Sequence, residues 1–198
     1  MNIEKTLKQD SSKTDEELIS LCKAGDKKFY HVLVERYKDM IYNLISRYTK
    51  NPDIADEITQ ETFVKAWKAI NSFEGRSKFS TWLITIAVNR VKDELKYKKR
   101  FTTLEFDSIS NNNPYESSND MRGPEEMVMN NELGAQLKSA INNLPGIYKE
   151  AFLLRHVELL SYDEISDITN TSSETVKVRV FRARDMLKKI LYKEEKDG

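Results

Sequence analysis

The sequence predicts an all-α protein in which two small helical domains are joined by a flexible acidic linker. Three observations predict it. Glycine and proline are scarce, six and four in 198 residues. Apolar residues recur at heptad-like spacing, as on one face of a helix. From about residue 101 to about 131 that periodicity stops, and SISNNNPYESSND has the composition of a linker.

The elements follow in order. Residues 1–13 are polar and read as a frayed N-terminus. Thr14 and Glu17 make a capping box that opens DEELISLCKAG, which Gly25 breaks. A long helix is expected from Asp26 to about Lys50, with Phe29, Leu33, Tyr37, Ile41, Leu44, Ile45 and Tyr48 on its apolar side. Asn51-Pro52 reads as N-cap and first helical residue of the next helix. That helix runs to about Ile70, with Ile54, Ile58, Phe63, Ala66, Trp67 and Ile70 inward. Asn71 to Lys78 is a loop holding Gly75, and Phe79 to Lys99 is helical again. The first half of this helix is apolar nearly all round (Trp82, Leu83, Ile84, Ile86, Ala87, Val88) and so buried; its second half is basic. The first domain is therefore expected over 14–100, the linker over 101–131, a smaller helical domain over 132–192, and a tail over 193–198.

In the second domain Pro145 starts IYKEAFLLRHVEL, which leads into a helix-turn-helix pattern. Ser161 and Glu164 form another capping box, and Tyr162, Ile165 and Ile168 give an apolar stripe. Thr169, Asn170 and Thr171 make a short polar break, after which Ser172 or Ser173 caps the second helix. At 3.6 residues per turn, Val176, Val180, Ala183, Leu187 and Ile190 form its core stripe. The opposite side carries Glu174, Lys177, Val178, Phe181 and Arg182, while Arg179 and Arg184 flank the core stripe within reach of backbone phosphates. Ser172 to Ile190 holds six Lys/Arg against two Asp/Glu. A solvated amphipathic helix also has a basic face, but solvent gives no reason for Val178 and Phe181 among the cations. Thymine methyls and sugar faces do, so the pattern points to a groove-reading helix.

The net charge is zero, but the charge is segregated. Ile84–Arg100 has six basic and two acidic residues, Phe101–Glu132 seven acidic and one basic, and Asn51–Thr62 four acidic and none basic. Two basic helices around an acidic middle suit more than one partner. The single cysteine, Cys22, excludes an internal disulfide and a cysteine-rich zinc site; packing is its expected role, a redox-sensing thiol the alternative. There is no signal-peptide pattern and no apolar run of about 18 residues, so a cytoplasmic protein without membrane insertion is expected. His31 and His156 lie far apart and belong to no ligand-spaced cluster, and no glycine-rich phosphate loop is present. No enzyme activity, metal or cofactor is expected.

Three segments, NPDIADEITQETFVKAWKAI, NSFEGRSKFSTWLITIAVNRVKDEL and LPGIYKEAFLLRHVELLSYDEISDITNTSSETVKVRVFRAR, in this order and at this spacing, resemble the bacterial sigma-70 family. More narrowly they resemble its extracytoplasmic-function (ECF) group, which keeps only domains 2 and 4. The resemblance covers roughly residues 15–100 and 132–192. It implies a dissociable subunit that binds core RNA polymerase, recognises promoter DNA at −35 and −10 elements and promotes melting. It also implies control by an anti-sigma factor.

The resemblance assigns core-polymerase binding to Asp53, Asp56, Glu57, Gln60, Glu61 and Phe63. Asp53, Asp56 and Glu57 lie in the first turns, where the helix dipole alone accounts for acids; Gln60 and Glu61 lie beyond it. The −10 element and its melting fall to Phe73, Arg76, Lys78, Phe79, Trp82, Asn89, Arg90 and Lys92. A loop with aromatics, cations and Gly75 could capture a flipped base, since stacking returns about 1–3 kcal/mol per base. Core packing competes as an explanation for Phe73, Phe79 and above all Trp82. The −35 element falls to Ser173, Lys177, Val178, Arg179, Phe181, Arg182 and Arg184. Many members of the family carry Ser or another small polar residue where this chain has Val178, a departure that bears on which −35 sequence is read. The acidic linker has two readings, disorder by composition or mimicry of nucleic acid in a basic channel. The alternative function is a stand-alone helix-turn-helix regulator, whose first domain would need a ligand pocket or a dimer face.

Overall fold

A computed structural model describes residues 12–49, 51–105 and 132–197, with side chains described over 12–49, 51–96 and 134–191. Eight α-helices lie within the described residues: α1 (Asp15–Lys23), α2 (Lys28–Thr49), α3 (Pro52–Ala69), α4 (Phe79–Glu105), α5 (Glu132–Asn142), α6 (Gly146–His156), α7 (Tyr162–Thr169) and α8 (Ser173–Asp197). The chain divides into two compact units, residues 1–118 and 119–198.

In the first unit α1 and α3 are capped locally. Thr14 Oγ1 accepts from the Glu17 amide at 3.3 Å and Glu17 Oε2 accepts from the Thr14 amide at 2.8 Å. Gly25 follows α1 at φ +98°, a conformation that would strain any residue with a Cβ. Asn51 Oδ1 accepts from the Ile54 amide at 3.2 Å, and Pro52 opens α3. Helices α2, α3 and α4 pack on one another, and α1 closes against α2 and the short 3₁₀ turn Ile70–Ser72. Leu18, Leu33, Ile41, Leu44, Ile45, Ile58 and Leu83 form the fully buried centre. Thr59 and Thr62 are buried too; their hydroxyls donate to the carbonyls of Ala55 (2.6 Å) and Ile58 (2.7 Å), which removes the desolvation cost of two polar groups.

Helix α4 runs to Glu105, beyond the end expected near Lys99, so the first five residues assigned to the linker are helical. FTTLE holds no glycine, proline or capping residue that would stop the helix. Residues 106–131, which carry the rest of the expected linker, lie outside the described residues, as does the N-terminal stretch 1–11.

In the second unit α8 packs on α5, α6 and α7. Ala140, Leu144, Ala183 and Leu187 are buried together, with Ile141, Tyr148, Phe152, Met186 and Ile190 against them. Pro145 is the N-cap of α6. The expected tail 193–198 is helical through Asp197, because KEEKD again offers nothing that breaks a helix.

Candidate nucleic-acid interface

The second unit presents a capped helix, a three-residue turn and a long exposed helix. Ser161 caps α7: its Oγ accepts from the Glu164 amide at 3.2 Å, and Glu164 Oε2 accepts from the Ser161 amide at 2.8 Å. Asn170 ends α7 in the left-handed region (φ 50°, ψ 48°), which asparagine tolerates better than most residues. The turn satisfies itself. The Thr171 amide donates to Ser166 O at 3.2 Å, Ser166 Oγ donates to Thr171 O at 2.5 Å, and the Thr169 and Thr171 hydroxyls lie 2.8 Å apart. Ser172 is the cap of α8, its Oγ accepting from the Thr175 amide at 3.2 Å, so Ser173 stands inside the first turn. These bonds within the turn fix the angle at which α8 leaves α7.

On α8, Val176, Val180, Ala183 and Leu187 are buried and Ile190 is half-buried. Glu174, Lys177, Val178, Phe181 and Arg182 are exposed, Val178 at 49% and Phe181 at 72%. Arg184 is exposed and Arg179 half-buried. Two partners come from outside the helix: Lys177 Nζ lies 5.8 Å from the Tyr162 ring centroid, and Arg182 Nη1 is 3.3 Å from Tyr148 Oη. His156 feels the same positive flank; burial first, then Arg184 and Arg155, push its pKa below the ordinary histidine value.

The loop between α3 and α4 differs from the expectation in one respect. Phe73 and Phe79 are 8% and 3% exposed, and so are not free to take up a base in this conformation. With Trp82 they form a cluster of centroid distances 5.1–5.7 Å, which Tyr37 extends at 5.6 Å from Phe79. Burying one such ring is worth about 1.5–3 kcal/mol, a gain that a free loop would forfeit. Trp82, the ring best explained by packing, is the half-buried one. Lys23 Nζ donates to Phe73 O at 2.5 Å, which fastens the start of the loop to the end of α1. The exposed part holds Glu74, Gly75 (φ +73°), Arg76, Ser77 and Lys78, and Arg76 pairs with Glu74 at 2.5 Å. On α4, Asn89 is exposed and Lys92 half-buried.

Arg90 is engaged within the first unit. Expected to face DNA, its guanidinium is bonded to Glu61 of α3 and to Glu94 at 3.2 Å, both carboxylates raising its pKa. The same contact explains why an acid stands at Glu61, beyond the reach of the helix dipole: it ties α3 to α4. Gln60 has its own partner, donating to Asp56 Oδ2 at 2.7 Å. Phe63 is 7% exposed and belongs to the core, with Tyr30 Oη donating to its carbonyl at 2.6 Å. The outer face of α3 is Asp53, Asp56, Glu57 and Gln60, continued by Val64, which is 51% exposed. Val64 was missed in the sequence, although it stands four residues after Gln60 and thus on the acidic face.

Among the described residues no group of three or more His, Cys, Asp or Glu could hold a metal ion, and no helix is long and apolar enough to cross a membrane.

Comparison with known proteins places both units. The family models for sigma-70 region 2 and sigma-70 region 4 match residues 33–101 and 134–187. The chain is 38% identical over 177 residues to the ECF RNA polymerase sigma-E factor of Haemophilus influenzae, covering 88% of this chain and 93% of the relative. It is 36% identical over 178 residues to the protein of the same name from Escherichia coli K12, covering 88% and 92%. Among solved structures it is similar to the sigma factor RpoE in complex with the anti-sigma factor NepR from Bartonella quintana (TM-score 0.65, 25% identity, 84% of this chain and 98% of that one). The fold is shared with CnrH, solved with the cytosolic domain of CnrY (TM-score 0.64, 21% identity, 89% and 96%).

Proposed function

The chain belongs to the ECF group of the sigma-70 family, whose members bind core RNA polymerase and direct it to promoters, and from that premise we propose how its surfaces divide the work. The outer face of α3 (Asp53, Asp56, Glu57, Gln60 and Val64) docks on core polymerase, an acidic stripe with one apolar contact at its C-terminal end. Glu61 and Phe63 serve that face from behind, one through Arg90 and one through the core. The exposed loop cations Arg76 and Lys78, with Trp82, Asn89 and Lys92, meet the −10 region; Phe73 and Phe79 form the floor beneath them. Asn89 offers the amide that suits adenine, and the cations suit phosphates. Arg90 keeps α3 and α4 in register. On α8, Lys177, Val178, Phe181 and Arg182 read the −35 element, while Ser173, Arg179 and Arg184 contact its backbone.

One observation carries the −35 assignment: two exposed apolar side chains, Val178 and Phe181, stand between Lys177 and Arg182 on the second helix of a capped helix-turn-helix. An apolar pair in that setting is a cost in water and a gain against thymine methyls. The protein is proposed to act in the cytoplasm, with an anti-sigma factor as its regulator and without a catalytic site of its own. The experiment is transcription from a linear template by core polymerase and the full chain. Arg182→Ala should weaken use of the preferred promoter and relax its −35 preference, by about 1–3 kcal/mol where the contact is bidentate to guanine. Equal loss on preferred and scrambled −35 sequences sinks the base-reading assignment. A two-fold symmetric footprint without polymerase would instead identify a stand-alone regulator.

A further inference from the structure

We propose that Tyr162 and Tyr148 are positioning residues for −35 recognition: each holds one base-reading cation of α8 from behind, Tyr162 holding Lys177 and Tyr148 holding Arg182. The proposal rests on the reading that the exposed face of α8 contacts bases.

The cations of α8 are long side chains on a solvated face, and such side chains lose most of their rotamer freedom when they bind. A contact that restricts them beforehand lowers that loss for the matching sequence. Both cations have such a contact, and both contacts come from other helices. Tyr162 is the first residue of α7, set immediately after the Ser161 cap. Its ring is itself held, with the Arg155 guanidinium 4.6 Å from the centroid and Arg155 Nη1 donating to Leu160 O at 2.7 Å. The anchored ring presents π density to Lys177 Nζ at 5.8 Å, within the range of a cation–π contact. Tyr148 belongs to α6 and packs against the Ala140, Leu144, Ala183 and Leu187 cluster, so its ring is fixed by the core. Its hydroxyl oxygen accepts from Arg182 Nη1 at 3.3 Å. The two contacts differ chemically: Lys177 is held by a π face, which phenylalanine also offers, and Arg182 by an oxygen, which phenylalanine lacks.

That difference sets the test. Full-length variants are assembled with core polymerase and assayed on two duplexes, one carrying the −35 sequence selected by the wild-type holoenzyme from a randomised pool, the other a scrambled −35. Tyr148→Phe and Tyr162→Leu should each reduce the preference for the selected duplex about three- to tenfold, while binding to the scrambled duplex and the salt slope stay unchanged. Tyr162→Phe should keep the wild-type preference. Tyr148→Phe, one oxygen lighter, decides the matter if Tyr162→Leu fails to fold. An unchanged preference in Tyr148→Phe and Tyr162→Leu, alongside a lowered one in Lys177→Ala and Arg182→Ala, overturns positioning and leaves base reading intact. An unchanged preference in the two alanine variants overturns both.

Discussion

Replacing Phe79 by alanine separates a structural role for the loop aromatics from a direct role in promoter melting. Phe79 is 3% exposed and its ring centroid lies 5.6 Å from Tyr37, 5.7 Å from Phe73 and 5.6 Å from Trp82. Truncating a buried phenylalanine costs about 3–5 kcal/mol, from lost transfer energy and the cavity left behind. Three ring pairs, each worth about 0.5–1.5 kcal/mol beyond area burial, keep Phe79 off the low end of that range, at about 4 kcal/mol. With a urea slope of about 1.5 kcal/mol per M, the midpoint falls by between about 2 and 3 M. Both tryptophans of the chain, Trp67 and Trp82, lie in the first unit, so tryptophan fluorescence follows that unit without interference from the second. The assay is a urea titration of the full chain read at the tryptophans, beside promoter opening at a temperature where the variant is folded. The reasoning is refuted if the midpoint moves by less than about 0.5 M at constant slope while opening is lost. Phe79 would then act on DNA and not in the core.

Two further outcomes are expected. Asn170→Ala should destabilise the second unit by about 1 kcal/mol, because alanine tolerates a left-handed backbone less well than asparagine, whereas Asn170→Gly should be neutral or stabilising; hydrogen exchange of the α7 and α8 amides reads both. Burial, then the Asp26 carboxylate, pushes the Cys22 thiol from 9.0 up to about 11. The folded state thus keeps a proton that the unfolded chain releases above pH 9.0, so this contribution to stability is complete below 9.0 and is lost as pH rises towards 11. Urea midpoints at about pH 8 and about pH 10 should differ less in Cys22→Ala than in the wild type, and an aromatic disulfide should label native Cys22 far more slowly than the unfolded chain. Equal labelling rates would show that the thiol is neither buried nor shifted.

What could be read in the chain beforehand depended on how local its physics is. The caps at Thr14, Asn51 and Ser161 need partners only three residues away, and the structure forms each of them. The division of α8 into a buried and an exposed face follows from one period over a long helix, and Val176 and Phe181 fall on their expected sides. What the sequence left open are contacts between distant segments. Glu61 and Arg90 stand 29 residues apart and look, singly, like an acid for one partner and a cation for another. Paired, they neutralise each other and join two helices. Phe73 and Phe79 flank a loop, and composition alone cannot say whether rings at the ends of a loop turn outward or stack on Trp82 and Tyr37. The end of α4 at Glu105 is hidden for another reason: lost periodicity reads as a linker, but a helix can continue without an apolar period where nothing stops it.

The fastened loop has a consequence for reach. Phe73 is pinned at one end by its ring and by the Lys23 ammonium on its carbonyl, and Phe79 at the other by its ring. Six residue steps between those pins give about 20 Å of chain at full stretch, so the apex rises no more than about 10 Å above its base. Successive nucleotides of a strand in duplex DNA advance by about 3.4 Å, so under the proposed −10 role the loop reaches no more than about three of them. It would then act as a short ruler. Lengthening it by inserted glycines would change how many nucleotides it can touch before it changed which ones it prefers.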